Sequence, residues 1–345
     1  TQFLFQAHVF LVNWKLLRAI MEVLNFTTRK YQEFRDFYDW TCTFADPRTQ
    51  DWLLVGSPIG TATLIILYLL IVWRGPIFMQ NRKPLELKWP MIVYNLGISF
   101  LNLYIGSELL YLAVKLNYNW QCQPVNRSDS PLELRVAKAL WWYYFSKCLE
   151  FADTIFFILR KKNNQLSFLH VYHHSTMFFF WWIGLKWVPG GSVFQGAMIN
   201  SFIHVLMYTY YGLAAMGPSI QKFLWWKKYL TMIQLVQFMV AIVQGYISLR
   251  LKCDFPIWMK YTLIGYMVSF ILLFGNFYLH AYTKKKYTEW DKKKKGKLSE
   301  QSNGHVKASM NGHHKPIRNG SVEKKSISSI ELEGSRLGAL RLRPV

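Results

Sequence analysis

The chain has 345 residues, of which 52% are hydrophobic and 17% aromatic, and its formal net charge is +22. Uncharged runs recur that are long enough to cross a hydrocarbon core of about 30 Å, and this excludes an ordinary soluble fold. The charge does not call for a nucleic-acid partner, because the segment after Tyr282 alone holds 16 basic and six acidic residues and much of the rest lies in loops between apolar runs.

Residues 1–20 lack an initiating Met and are fairly apolar. A signal peptide without a clear cleavage site, a fragment, and an extended reading frame whose true start is Met21 are all open, and no function is expected of them. Residues 21–51 are expected to be a luminal segment carrying the sequon Asn25-Phe26-Thr27. Seven spans follow: Trp52–Trp73, Trp89–Val114, Val136–Leu159, Asn163–Leu185, Trp187–Gln221, Tyr229–Leu249 and Tyr261–Tyr282. The expected organisation is a doubtful extension at 1–20, a luminal segment at 21–51, an all-α membrane domain at 52–282 and a basic, mostly disordered tail at 283–345.

Lys and Arg set the orientation. The loops at 74–88, 160–162 and 217–228 carry four, three and three of them, and the tail carries 16. The opposite side carries 13 in all. The C-terminus is therefore expected in the cytosol and the N-terminus in the lumen. Cys122 and Cys253 both fall in luminal loops, where a disulfide can persist; a bridge and two free thiols are equally open at this point. A second sequon, Asn126-Arg127-Ser128, lies on the same side.

Several polar residues are expensive in these spans. A charge at the bilayer centre costs about 3 kcal/mol on insertion scales. Span three nevertheless reads "KCLEFADT", which places Lys147, Glu150, Asp153 and Thr154 on one helical stripe. They are expected to face inward, with Lys147 paired to Glu150. Span four reads "FLHVYHH", with His170, His173 and His174 at i, i+3 and i+4. Span five repeats the pattern with Asn200, His204, Tyr208 and Tyr211, and span six offers Thr231, Gln234 and Gln237. One Asn or Gln could merely join helices. Lys, Glu, Asp and four His at similar depth point to a buried reactive site.

The chain has nine histidines, but only His170, His173, His174 and His204 are placed to act together. That is too few for a di-iron box of about eight ligands, and no metal is expected. A single zinc and a histidine-box oxidoreductase of the desaturase or hydroxylase kind stand as the alternative. Without metal, a neutral imidazole can act as a base or as a nucleophile toward a thioester.

The pieces "KCLEFADTIFFILRKK", "FLHVYHH", "NSFIHVLMYTYY" and "LTMIQLVQF" occur in the order seen in the ELO family of fatty acid elongases, and from about Phe37 to Tyr287 the chain resembles that family. "WWIGLKWVPGG" and "LWWKKYLTMIQLVQF" look most like its animal very-long-chain branch, which acts on polyunsaturated and saturated chains. The resemblance implies an endoplasmic-reticulum enzyme in which six of seven helices form a barrel around an acyl tunnel. It implies condensation of acyl-CoA with malonyl-CoA to 3-oxoacyl-CoA, CO2 and CoA, with no cofactor. It assigns His173 as the nucleophile, His174 and His170 as its supports, and His204 with Asn200 as polarising groups. Lys147, Glu150 and Asp153 become a charged lattice.

On the same reading Arg160, Lys161, Lys162, Lys227 and Lys228 receive CoA phosphates, while Gln234, Gln237, Tyr208 and Tyr211 face substrate. The resemblance also implies the Cys122–Cys253 bridge, self-association, and work beside the reductases and dehydratase of the cycle. One departure is the ending "RLRPV", in which Arg341 and Arg343 only loosely replace a dilysine retrieval signal.

Overall fold

The computed structural model describes residues 2–251 and 253–280, so the expected tail at 283–345 and the end of span seven lie outside the described residues. Among the described residues the chain is all helical, with no strands. The first helix, α1 (Gln2–Cys42), runs without a break through the expected boundary at residue 20. The first sequon lies within this helix, with Asn25 exposed on it.

The remaining helices follow the apolar runs. They are α2 (Pro58–Phe78), α3 (Lys88–Lys115), α4 (Pro131–Leu149), α5 (Phe151–Leu159), α6 (Phe168–Trp187), α7 (Val193–Ala215), the single-turn α8 (Pro218–Gln221), α9 (Lys227–Arg250) and α10 (Ile257–Tyr278). Two of the expected spans are subdivided. Span three breaks at Glu150 into α4 and α5, and span five divides into α7 and α8, with Trp187 belonging to the end of α6. Four helices, α2, α3, α9 and α10, are long and apolar enough by themselves to cross a membrane. Their outer faces expose Ile66, Leu67 and Leu70 on α2 and Val236, Val240 and Val243 on α9. Continuous apolar surface of this kind is suited to lipid, not to water.

Local chemistry sets the helix starts. Ser57 caps α2 by accepting from Ile59 N, and Pro58 follows where its missing N–H costs nothing. Ser130 and Pro131 do the same for α4. Ser167 caps α6 by accepting from His170 N at 3.3 Å, which anchors the helix at its first histidine. Before α7, Gly191 has φ +59°, and a Cβ there would come within 2.8 Å of Gln123 O. Only glycine fits both the left-handed backbone and the close approach.

Packing is built from antiparallel pairs, chiefly α3 with α7 and α9 with α10. Helix α6 packs between α2 and α4, and α4 also meets α3 and α7. Side chains from α3, α4, α6, α7, α9 and α10 share one apolar core, which includes Leu109, Leu140, Tyr143, Tyr144, Phe178, Phe194, Phe238 and Phe270. At one end the short loops lie together, with Leu85 N donating to Leu159 O and Lys161 Nζ to Gln80 O.

The opposite end is closed by a polar cap. The side chains of Asp46 and Arg48 are buried and joined at 2.8 Å, and Arg48 also donates to Ser128 O. Burial disfavours the Arg48 cation, but its bonds and attraction to Asp46 outweigh this and raise its pKa. Asp46 N and Thr49 Oγ1 bond the last turn of α6 at Lys186 O and Leu185 O. The Cys122–Cys253 disulfide forms at this end with a Cα–Cα distance of 6.1 Å, as expected. It ties the α3–α4 loop to the α9–α10 loop.

Candidate active site

The break at Glu150 determines how the span-three residues are presented. Glu150 is the last cap of α4 and the first of α5, and Asp153 N bonds Glu150 O in a tight three-residue turn. Lys147, Glu150 and Thr154 all point into the bundle and are at most 1% exposed. Lys147 Nζ meets Glu150 Oε1 at 2.7 Å, the expected pair.

His204 enters this pair from α7. Its Nδ1 lies 3.4 Å from Glu150 Oε1 and 3.3 Å from Lys147 Nζ. In the neutral ring Nδ1 either donates to the carboxylate, which makes Nε2 an acceptor, or accepts from the ammonium, which makes Nε2 a donor. In both cases Nε2 is left for another partner. Asp153 accepts a hydrogen bond from Tyr208 Oη at 2.8 Å, one turn beyond His204 on α7.

The α6 histidines face the same cluster. His170 Nε2 and Thr154 Oγ1 are 2.7 Å apart, and Thr154 also donates to Tyr68 Oη of α2 at 3.2 Å. His174 is buried and contacts both other α6 imidazoles, with ring centroids 4.3 Å from His170 and 5.1 Å from His173. The His173 ring lies 6.4 Å from His204 and 5.5 Å from Phe270. Among the described residues His173 makes no side-chain hydrogen bond, and it is half-buried in spite of its place inside the bundle. Its ring nitrogens are not committed to the fold.

Asn200 Oδ1 accepts from Tyr143 Oη at 2.6 Å, while its amide nitrogen faces Gln237 Oε1 at 3.5 Å. Gln234 instead points its amide at Met207 Sδ, 3.6 Å away. Tyr211 is exposed, and its ring contacts that of Tyr208 with centroids 6.2 Å apart. Arg160 and Lys161 are half-buried, whereas Lys162, Lys227 and Lys228 are exposed; all flank the end at which α6 begins. Asn126 is exposed, yet its amide donates to Glu133 Oε1 at 3.1 Å. Among the described residues no group of three or more His, Cys, Asp or Glu side chains is arranged to hold a metal ion.

The sequence pattern missed Tyr143, Tyr68 and Tyr94, the last of which meets Tyr208 edge to face with ring centroids 6.3 Å apart. Tyr143 lies four residues before Lys147, so helical spacing could have identified it, but it stands in the run "WWYYF", where aromatic character alone does not distinguish it.

Apolar helices with bare outer faces and a polar centre between them define a multi-pass membrane protein with an internal site. A model of the ELO: GNS1/SUR4 family matches residues 53–289. Very long chain fatty acid elongase 4 of Mus musculus is 50% identical over 270 residues, which are 78% of this chain and 86% of that protein. The Homo sapiens protein of the same name is 50% identical over 264 residues, 76% of this chain and 84% of that one. Very long chain fatty acid elongase 5 of Xenopus tropicalis is 46% identical over 240 residues, 70% and 81% of the two chains. The chain belongs to the ELO family.

Proposed function

We propose that this chain is a very-long-chain 3-oxoacyl-CoA synthase, the acyltransferase that condenses a long acyl-CoA with malonyl-CoA in fatty acid elongation. The observation that carries this reading is the meeting of His173, whose ring makes no hydrogen bond among the described residues, with the buried Lys147–Glu150–His204 cluster. In the first step a His173 ring nitrogen attacks the thioester carbonyl. The C–S bond breaks, the CoA thiolate takes the imidazole proton, and an acyl-imidazole remains. In the second step malonyl-CoA loses CO2. Its enolate carbon attacks the acyl carbonyl, the C–N bond breaks to release 3-oxoacyl-CoA, and the His173 imidazolate takes one proton from solvent, the one proton that the overall condensation consumes.

With Nδ1 accepting from Lys147, His204 supplies Nε2–H as the donor that opposes charge growing on a carbonyl oxygen, with Asn200 beside it. His170 and His174 orient the nucleophile, and Asp153 completes the charged lattice. Chemistry of this kind takes place between residues of the chain and two CoA thioesters and calls for no cofactor. Gln237, Gln234, Tyr208 and Tyr211 border the substrate path. Arg160, Lys161, Lys162, Lys227 and Lys228 receive the CoA phosphates at the end where α6 begins.

The wider architecture follows the same reading. The helices α2, α3, α4 with α5, α6, α7, α9 and α10 make seven spans, six of which surround an acyl tunnel. Basic loops mark the cytosolic face. The disulfide at the other end supports a luminal assignment there, in the endoplasmic reticulum, because an oxidising compartment preserves it. Self-association and hand-over of the 3-oxo product to a reductase belong to this proposal as well.

The test is intact-protein mass after incubation of detergent-purified protein with a long-chain acyl-CoA alone, beside His173→Ala. The reading expects an acyl adduct on the wild type, none on the variant, and discharge by malonyl-CoA. Failure to form either adduct or 3-oxoacyl-CoA at several chain lengths overturns it.

A further inference from the structure

We infer that Tyr143 is a positioning residue of this site, holding Asn200 through its hydroxyl and Lys147 through its ring. This inference rests on the condensing reaction proposed above. Tyr143 is 1% exposed and sits on α4 one turn before Lys147. That spacing places the two side chains on one face.

Three contacts radiate from this residue. Its hydroxyl donates to Asn200 Oδ1 at 2.6 Å, which occupies the amide oxygen and leaves the amide nitrogen of Asn200 turned toward Gln237. Its ring face lies beneath Lys147 Nζ, 4.4 Å from the centroid, so the ammonium is held between that face and Glu150 Oε1. Its other neighbour is Trp181 of α6, with ring centroids 4.3 Å apart. Trp181 stands two turns beyond His174 on the same helical face, so Tyr143 also braces the histidine helix.

The residues reached in this way act at one place. Asn200 precedes His204 by one turn of α7, and Lys147 with Glu150 holds His204 Nδ1. A single phenol therefore sets both arms that present His204: the amide beside it and the ion pair behind it. A purely packing residue needs no hydroxyl here. An aromatic hydrocarbon would fill the space, but it would leave Asn200 Oδ1 without its donor in a dry interior.

Tyr143→Phe and Asn200→Ala, singly and together, test this in full-length protein assayed for 3-oxoacyl-CoA. Rates are normalised to the fraction of protein that forms the acyl adduct. Tyr143→Phe is expected to lower kcat by about tenfold or more with KM for malonyl-CoA within about twofold, because the lost hydroxyl contributes to the transition state and not to substrate capture. The double variant is expected within about twofold of Asn200→Ala alone, since the hydroxyl acts through that amide. Tyr143→Leu, which also removes the ring beneath Lys147, is expected to be slower than Tyr143→Phe. Unchanged kcat per active enzyme in Tyr143→Phe overturns the inference, as do losses that simply multiply in the double variant. A wild type that produces no 3-oxoacyl-CoA overturns the functional reading instead.

Discussion

Lys147 Nζ lies 2.7 Å from Glu150 Oε1, with both side chains buried and joined across the break between α4 and α5. Two opposite charges in such a place are tolerated only together. Removing one partner of a buried pair commonly costs about 3–5 kcal/mol, because the other charge stays uncompensated, whereas apolar replacement of both can be nearly neutral. Lys147→Met and Glu150→Leu should each lower the thermal midpoint in detergent by more than the double variant does. Additive losses would show that the two residues are not coupled.

His204→Ala leaves that pair intact but removes the ring facing His173. If His204 opposes the developing oxyanion, its loss should lower the kcat of the folded enzyme by about 10²–10³, while the cavity left beside Lys147 and Glu150 should lower the thermal midpoint as well. A rate within a few-fold of wild type would remove it from the proposed chemistry.

Thr154→Val tests the support of His170. The substitution keeps the shape and deletes the hydroxyl that contacts His170 Nε2 at 2.7 Å and Tyr68 Oη at 3.2 Å. Leaving the half-buried imidazole unpaired should cost about 1–3 kcal/mol of stability. Condensation should slow by about one to two orders of magnitude if His170 orients its neighbours. Steady-state rates beside a thermal melt separate the two effects.

The opposite end of the molecule should affect stability without affecting chemistry. Cys122→Ser with Cys253→Ser opens a crosslink spanning 131 residues, and about 2–5 kcal/mol should be lost. Asp46→Asn should likewise destabilise, by weakening the buried partner of Arg48. In both cases the kcat of the remaining folded enzyme should be unchanged. A specific fall in kcat would mean that the cap communicates with the site.

Much of the site is legible in the amino-acid order, for a physical reason. Charged groups are so costly in hydrocarbon that Lys147, Glu150 and Asp153 have to face inward, and helical spacing puts them on a stripe. The same reasoning picks out His170, His173 and His174. It does not reveal the break at Glu150, because "KCLEFADT" contains neither Gly nor Pro. It groups Tyr211 with Tyr208, although Tyr211 ends exposed. The polar stripe continues along α7 past the point where neighbouring helices cover it.

The amino-acid order by itself determined the apolar runs and the inventory of polar groups that a membrane interior must pair. Each of these is decided within a few turns of chain by propensity and desolvation cost. Only the tertiary structure decided which partner each group took: His204 with Glu150, Asp153 with Tyr208, Thr154 with His170, and Tyr143 with both Asn200 and Lys147. Apart from the local contact between Tyr143 and Lys147, those pairings join different helices. Their angles and offsets depend on how whole side-chain surfaces interlock, which no local pattern records.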